Sequence, residues 1–371
     1  MRKKYDYVIV GAGLTGATFA REMTDAGARC LIIDKRDHVG GNCYTQNIEG
    51  INVHVYGPHI FHTSDDDTWN FVNRFAKFNH FVNRPKVVYR DQIFSFPINL
   101  MTLYQLWGVK TPEEAKKRLE EASRPYKEKY SRPKNMEEWV LSNLGKELYE
   151  TFIYGYTTKQ WKKSPSKLPV SIIKRVPVRL SWDDNYYEDK YQGIPVGGYT
   201  SLFQKILDGI EVNLSIDFFD DKELLQRLGT KILYTGPLDK LYNFCYGELE
   251  YRGLSFEHET LEIEDYQGNA VINYTDVKIP WTRIVEHKHF EFFSSKKTII
   301  TRETPVEWNS NLTPYYPVND AKNNSIYEKY KKLSLADDQY LIAGRLAAYK
   351  YYDMHQAIAA ARNLAKNLIK S

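Results

Sequence analysis

From Tyr5 to Asp34 the chain reads as a strand, a glycine-rich turn, a helix and a second strand that ends on an acid. Residues 5–10 are rich in β-branched and aromatic side chains, which suits a buried strand. Gly11-Ala12-Gly13-Leu14-Thr15-Gly16 follows at once. The glycines of such a turn have separate jobs: Gly11 makes the tight bend, Gly13 lets backbone approach a pyrophosphate, and Gly16 permits close helix–strand packing. Residues 17–26 read as a helix stopped by Gly27, and Cys30-Leu31-Ile32-Ile33 as the next strand. The start of the helix offers backbone N–H groups to phosphate. Asp34 lies about 20 residues beyond the turn, where an acid accepts hydrogen bonds from an adenosine ribose. A glycine-rich turn alone means little. With its strand, helix and acid, this one predicts a dinucleotide-binding βαβ unit.

Two further features resemble FAD proteins more than nicotinamide dehydrogenases. Gly40-Gly41-Asn42 forms a second flexible turn soon after the acid. Near the chain end, Tyr340-Leu341-Ile342-Ala343-Gly344-Arg345 reads as strand then turn, and residues 354–369 as an amphipathic helix. Between these ends, Ile232-Leu233-Tyr234-Thr235-Gly236-Pro237 reads as a strand returning to the first domain.

The middle of the chain has another texture. Thr111-Pro112-Glu113-Glu114 and Asn135-Met136-Glu137-Glu138 are helix starts with a capping residue and an acid three positions on. Pro165, Pro169 and Pro177 break up the basic stretch of residues 162–179 and predict a loop. Strand patterns return from about residue 250 to 305, as in Val271-Ile272-Asn273-Tyr274 and residues 297–300. The expected architecture is α/β: a discontinuous Rossmann-like FAD-binding domain (1–84, 195–245, 330–371), an inserted helical substrate domain (100–194) with a mobile loop near 165–180, and an antiparallel β-sheet domain (85–99, 246–329).

Charge and cysteine usage narrow the function classes. A formal net charge of +4 over 371 residues is too mild for nucleic-acid binding and is compatible with a small anionic substrate. The three cysteines Cys30, Cys43 and Cys245 form no CxxC pair, so neither a disulfide framework nor a zinc site is expected. We read a reducing, cytoplasmic compartment, with no cleavable signal and no membrane insertion. The 29 tyrosines suit a site that stacks flat rings, although any single one suits the core as well.

Five segments, in order along nearly the whole chain, resemble the UDP-galactopyranose mutases. They are Gly57-Pro58-His59-Ile60-Phe61-His62-Thr63, Tyr156-Thr157-Thr158-Lys159-Gln160-Trp161, Thr235-Gly236-Pro237-Leu238-Asp239, Tyr315-Tyr316-Pro317-Val318 and Tyr351-Tyr352-Asp353-Met354. Gly344-Arg345 stands where many flavoprotein oxidoreductases have Gly-Asp, and this departure agrees with the mutases. The resemblance implies FAD, active when reduced, held by Gly11, Gly13, Thr15, Gly16, Asp34, Lys35, Asn42, His59, Ile60, Asp217, Phe218, Arg345, Tyr352, Asp353, Met354 and Ala357. It implies substrate contacts at Asn83, Phe152, Tyr156, Thr157, Trp161, Tyr186 (or the adjacent Tyr187), Asn273, Tyr316 and Tyr351.

Arg175 and Arg283 are candidates to grip the diphosphate, because a guanidinium fork donates paired hydrogen bonds and stays charged. A solvated surface role is the alternative for each. His62 is a candidate to hold or tune the flavin, with a satisfied core histidine as the alternative. Phe152 and Tyr156, four apart, share a face of an α-helix, where one could stack on uracil or both could be core.

The activity implied is interconversion of UDP-galactopyranose and UDP-galactofuranose. Reduced flavin N5 attacks the anomeric carbon, with no net oxidation, no protein nucleophile and no metal. A nicotinamide or another reductant, and a homodimer, are the implied partners. The galactofuranose would feed cell-surface polysaccharide. An amine-oxidase-like FAD oxidoreductase and a nucleotide-binding module without turnover are the alternatives from other classes.

Overall fold

The computed structural model describes residues 3–175 and 178–370. The chain divides into two compact units. The first comprises Met1–His80, Asp189–Gly253 and Trp308–Ser371, and the second comprises Phe81–Glu188 and Leu254–Glu307.

A five-stranded sheet organises the first unit. Its order is Tyr340–Ile342, Gly229–Tyr234, Tyr5–Val10, Cys30–Ile33, Glu211–Asn213, and every pairing is parallel. Val8, Ile9, Ile32, Ile232 and Leu233 are fully buried, as expected of parallel strands covered on both faces. The helix Leu14–Asp25 begins three residues earlier than the sequence pattern predicts, directly on the glycine turn, and Gly27 follows its end at a φ of +90°. The closing helix Met354–Lys370 packs on Leu14–Asp25. Ala17 and Ala20 on one helix and Ala361 and Ala365 on the other are fully buried, so small side chains let the two backbones approach. Arg362 and Glu22 close this contact at 2.7 Å. The expected return of the chain at residues 232–237 is the interior strand Gly229–Tyr234, between Tyr340–Ile342 and Tyr5–Val10.

A six-stranded sheet organises the second unit, in the order Gly253–Leu261, Thr298–Val306, Arg283–Glu286, Val271–Tyr274, Lys86–Tyr89, Gln92–Ser95. Val271–Tyr274 pairs in parallel with Lys86–Tyr89, while the hairpins on either side are antiparallel. The helices Leu100–Trp107, Pro112–Lys129 and Met136–Leu144 carry Leu103, Ala115, Val140 and Leu144 into one core with Val87 and Phe94 of the sheet. Both predicted starts are capped as expected. The Thr111 side chain accepts from the Glu114 N–H in a complete capping box, and the Asn135 side chain accepts from the Glu138 N–H.

The sequence reading separates these helices from the sheet. In the folded chain they share this core and form one unit. Residues 308–329 belong to the first unit through the helix Ala321–Leu335, whose Tyr330 is fully buried and donates to the Gly247 carbonyl.

Two local features depart from the sequence pattern. Residues 162–179 are not a plain loop, since they contain the 3-10 turns Pro165–Lys167 and Val170–Arg175. Tyr149–Tyr154 is a π-helical stretch leading into the α-helix Gly155–Trp161. The wider π turn changes the angular phase, so Phe152 and Tyr156 do not stand one α-turn apart.

His287, at the end of the strand Arg283–Glu286, is buried and shares the Thr301 hydroxyl with His258, at 2.6 and 2.7 Å. Burial, with a smaller contribution from His258, pulls its pKa down from 6.5 to about 3. The native state therefore keeps His287 neutral where the unfolded chain protonates it. Its contribution to stability is complete above pH 6.5 and is lost as the pH falls toward 3. We predict that stability falls by up to about 1.4 kcal/mol per pH unit from this residue over that window. Urea melts at pH 7.5, 6 and 5 check it: His287→Gln should flatten the decline, and an equally steep decline in the variant would refute it.

Candidate active site

Three strand ends converge on the start of the helix Leu14–Asp25. The Thr235 hydroxyl donates to the Val10 carbonyl at 2.7 Å, tying the ends of Tyr5–Val10 and Gly229–Tyr234 together. A Cβ at Gly344, beyond Tyr340–Ile342, would lie 3.3 Å from both the Thr15 hydroxyl and the Thr235 Cβ. A Cβ on Gly16 would lie 1.9 Å from the Gly11 carbonyl oxygen, so only glycine lets the helix start so close to the strand. Gly11 itself has a φ of +113°. The second glycine turn closes against the first: the Gly40 N–H donates to the Ala12 carbonyl at 2.9 Å, and a Cβ on Gly41 would meet the Gly13 Cα at 3.0 Å. Gly13 is the N-cap and has no side chain to cap the helix, which leaves its first N–H groups facing this cradle.

Asp34 stands at the rim. Its two oxygens accept from the Ala12 N–H at 2.7 Å and the Arg36 N–H at 3.0 Å, which fixes the carboxylate and leaves further lone pairs for ribose hydroxyls. Asn42 accepts from Arg36 at 2.9 Å. Arg36 lies over the Tyr56 ring at 4.3 Å, and His38 stacks on Tyr44 at 3.7 Å. These four neighbours escaped the sequence reading, because only the fold brings Tyr56 back beside residues 36–44. Burial, then Lys240 and Arg36, pull the Lys35 pKa below 10.5. Cations that repel one another in this way would be relieved by a bound diphosphate. The cradle, the fixed acid and this positive rim together fit FAD.

The other predicted cofactor residues are distributed as follows. The backbone of residues 215–216 runs beside Asp34, with the Ser215 and Ile216 N–H groups donating to the Arg36 and Asp34 carbonyls. Asp217 pairs with Lys240 at 3.6 Å. Phe218 is 2% exposed and its ring packs in the core against Phe219 and Tyr234, so its backbone is what it offers a ligand. His59 donates its backbone N–H to His54 and its ring bonds the Gly57 carbonyl, next to the buried Ile60. Arg345 donates to the Tyr352 carbonyl at 2.8 Å and lies over the Tyr316 ring, which stacks on Tyr351 at 4.8 Å. Met354 meets Cys43 at 3.7 Å, while Asp353 and Ala357 form the first turn of the closing helix.

His62 is not a plain core histidine. Its Nδ1 bonds Asp189 at 2.6 Å, and Asp189 also accepts from the Ser64 hydroxyl at 2.8 Å. Burial pushes the Asp189 carboxyl up, but the bonds from His62 and Ser64 outweigh it and hold the pKa below 3.8. The His355 ring stands edge-on to His62 at 5.0 Å, and its buried Nδ1 has no hydrogen-bond partner among the described residues. Asp189 was not readable beforehand. The antiparallel pairing of Phe61–Thr63 with Tyr191–Gly193 carries it there.

In the second unit, Asn273, Arg283 and Glu303 form a cross-strand row. Arg283 donates through Nε and Nη2 to one oxygen of Glu303, at 3.0 and 2.9 Å, and the Glu303 side chain is only 2% exposed. A buried carboxylate thus aims a half-buried guanidinium. Thr157 and Asn273 are buried, and Tyr156 and Trp161 are half-buried. The Tyr186 N–H donates to the carbonyl of Asn83 at 2.8 Å, and the Tyr186 ring continues an aromatic chain through Phe96 to Phe152. Phe152 is 3% exposed and packs edge-on to Phe94, which favours the core role. The Arg175 side chain lies outside the described residues, as do Val176 and Pro177.

A family profile described as UDP-galactopyranose mutase matches residues 151–351, and one described as NAD(P)-binding Rossmann-like domain matches residues 9–75. A probable UDP-galactopyranose mutase of Klebsiella pneumoniae is 41% identical over 98% of this chain and 94% of its own. A dTDP-fucopyranose mutase of Escherichia coli is 39% identical over 98% of both. This chain belongs to the UDP-galactopyranose mutase family.

Membership makes the chain a mutase, an isomerase with FAD as its cofactor. The fold agrees: a crystal structure of reduced UDP-galactopyranose mutase superimposes with a TM-score of 0.74 at 16% identity, covering 99% of this chain and 96% of its own. A putative protoporphyrinogen oxidase from Exiguobacterium shares the fold at a TM-score of 0.64 and 12% identity.

For this mutase we predict that Gly16→Ala is purified largely without flavin, because its Cβ cannot coexist with the Gly11 carbonyl. Flavin absorbance per mole of protein measures this. A variant as yellow as the parent would refute the tight-packing argument.

Proposed function

We propose that this chain interconverts UDP-galactopyranose and UDP-galactofuranose with no net oxidation. The observation that carries this reading is the Asn273–Arg283–Glu303 row. An arginine held half-buried by a buried carboxylate, next to an amide, is suited to grip a diphosphate leaving group. The 41% identity to the Klebsiella protein over 98% of this chain supports it.

In this reading each group has a defined task. Arg283 and Arg175 neutralise the charge that grows on UDP as its bond to the anomeric carbon breaks. Asn83, Tyr156, Thr157, Trp161, Tyr186 and Asn273 orient the nucleotide, and Phe152 supports them from the core. Tyr316 and Tyr351 provide stacked phenols next to Arg345. His62, oriented by Asp189, holds a fixed tautomer beside His355. When bound, reduced FAD supplies the nucleophile for the anomeric carbon. The protein's share is binding, orientation and charge. We also propose a cytoplasmic homodimer that is reduced by a nicotinamide or similar donor and serves cell-surface polysaccharide synthesis.

A second reading stays within the same chemistry. The E. coli relative named as a dTDP-fucopyranose mutase is nearly as similar, at 39% identity. dTDP differs from UDP by a methyl group on the base and the absence of the ribose 2′-hydroxyl, and fucose differs from galactose by one hydroxyl, so both substrates present the same pyrimidine ring and diphosphate to the site.

The deciding experiment is an anaerobic chromatographic assay with UDP-galactofuranose and dTDP-fucofuranose, with and without dithionite. We expect conversion of UDP-galactofuranose only when the flavin is reduced. A higher kcat/KM for the dTDP sugar would move the assignment to the second reading. In a companion aerobic assay, oxygen consumption without isomerisation would indicate an oxidoreductase. We further predict that Arg283→Ala and Arg175→Ala each lose about ten- to hundred-fold in turnover, the value of one charge-assisted contact of about 1.5–3 kcal/mol, while keeping flavin. Parent-like turnover in both variants would remove the diphosphate clamp.

A further inference from the structure

Lys159 is a buried cation with a defined set of partners. It is 7% exposed, and its ammonium donates to the carbonyls of Tyr274 at 2.7 Å, Ile279 at 3.0 Å and Trp281 at 2.8 Å. An ammonium has three N–H donors, and here all three are used. The three carbonyls belong to the end of Val271–Tyr274 and to the connection that leads from it to Arg283–Glu286. That connection runs directly under the helix Gly155–Trp161. A Cβ on Gly155 would lie 2.0 Å from the Thr275 carbonyl oxygen, and the Thr275 hydroxyl donates to the Thr151 carbonyl at 2.6 Å. Among the described residues no carboxylate hydrogen-bonds this ammonium, and three carbonyl dipoles hold it. Taking a charge out of water for a backbone contact is expensive, so the contact must be met in full to persist.

Proposed substrate contacts flank both ends of this tie. Tyr156, Thr157 and Trp161 lie within three residues of Lys159 on the helix. Asn273 adjoins Tyr274, and Arg283 lies two residues beyond Trp281. We infer that Lys159 is a positioning residue: its ammonium locks the helix carrying Tyr156, Thr157 and Trp161 to the connection that sets Asn273 and Arg283. The inference rests on the UDP-sugar reading for what those residues bind. The tie itself rests on the three carbonyl contacts.

Charge state matters to such a tie. Burial pulls the Lys159 pKa down from 10.5 to about 8. Asp276 on the connection and Lys162 at the end of the helix are the charged groups that act on it, in opposite directions. Burial raises the Tyr274 phenol above 10, so it stays protonated while Lys159 titrates. A neutral amine has two N–H donors and releases one of the three carbonyls.

The test uses the oxidised holoenzyme and UDP as probe, in the parent, Lys159→Gln and Lys159→Met. We expect a loss of UDP affinity graded by the donors left at position 159: partial in Lys159→Gln and at least about ten-fold in Lys159→Met. Flavin content should match the parent. Turnover should show the loss chiefly in KM, and amide exchange over residues 274–282 should quicken in the same order. In the parent, UDP affinity should weaken from pH 7 to 9.5, and Lys159→Met should lack this slope. UDP affinity and amide exchange in both variants within two-fold of the parent would overturn the inference. If Lys159→Met loses its flavin, Lys159→Gln carries the same test. If the parent itself binds no UDP, the UDP-sugar reading fails instead. The tie is then judged by amide exchange alone, and unchanged exchange over residues 274–282 would overturn it.

Discussion

The nucleotide chemistry of the first unit depends on one close backbone approach. Gly16 sits so near the Gly11 carbonyl that no side chain fits between them. This contact starts the helix Leu14–Asp25 immediately after the strand Tyr5–Val10 and turns the helix N–H groups toward the carboxyl ends of the sheet. The rest of the cradle is arranged around it. Thr235 and Gly344 bring two more strand ends to the same point, and Gly40 and Gly41 close over Gly13. Asp34 is fixed at the rim by the Ala12 N–H, so the acid and the phosphate-facing turn are held by a single hydrogen bond of 2.7 Å.

The second unit relies on a different device. Several of its charges are buried, and each is held by fixed partners. Lys159 is satisfied by three carbonyls, and one oxygen of Glu303 takes two donors of Arg283. Glu286 accepts from the Tyr266 and Gln267 N–H groups and the Thr298 hydroxyl. Burial pushes its carboxyl up, but His289 and these bonds hold it below 4.5. Such charges hold connections in place when satisfied and destabilise strongly when one partner is lost. Glu286 and Glu303 lie on the strands Arg283–Glu286 and Thr298–Val306, and Lys159 reaches the end of Val271–Tyr274, beside the proposed contacts Asn273 and Arg283. His62 with Asp189 is the counterpart in the first unit, a histidine oriented by a carboxylate 127 residues away.

Some of this was legible in the chain because it is local. A glycine turn between strand and helix, a Thr-Pro-Glu-Glu start and an Asn-Met-Glu-Glu start act over three or four residues, and the folded chain shows all of them. The five dispersed segments were legible as a family pattern for another reason, since their spacing along the chain survives without any geometry. Elements whose form is set by packing were not legible. The π-helical stretch Tyr149–Tyr154 has the same local preferences as an α-helix, and only its place against the connection after Tyr274 makes the wider turn fit. Phe152 looked as suited to stacking on a base as to the core until Phe94 and Phe96 surrounded it.

The sequence by itself determined that the chain opens with a Rossmann-like βαβ unit, that FAD was favoured, and which dispersed residues marked the family. These depend on residue type and short spacing, such as a missing Cβ, an acid after a strand or a capping hydroxyl. Only the tertiary structure decided which partners complete them: Asp189 for His62, Glu303 for Arg283, three carbonyls for Lys159 and the Arg36–Tyr56 pair beside Asp34. Each partner arrives through strand pairing or helix–sheet packing. Burial of the hydrophobic core sets that arrangement, and no run of adjacent residues encodes it.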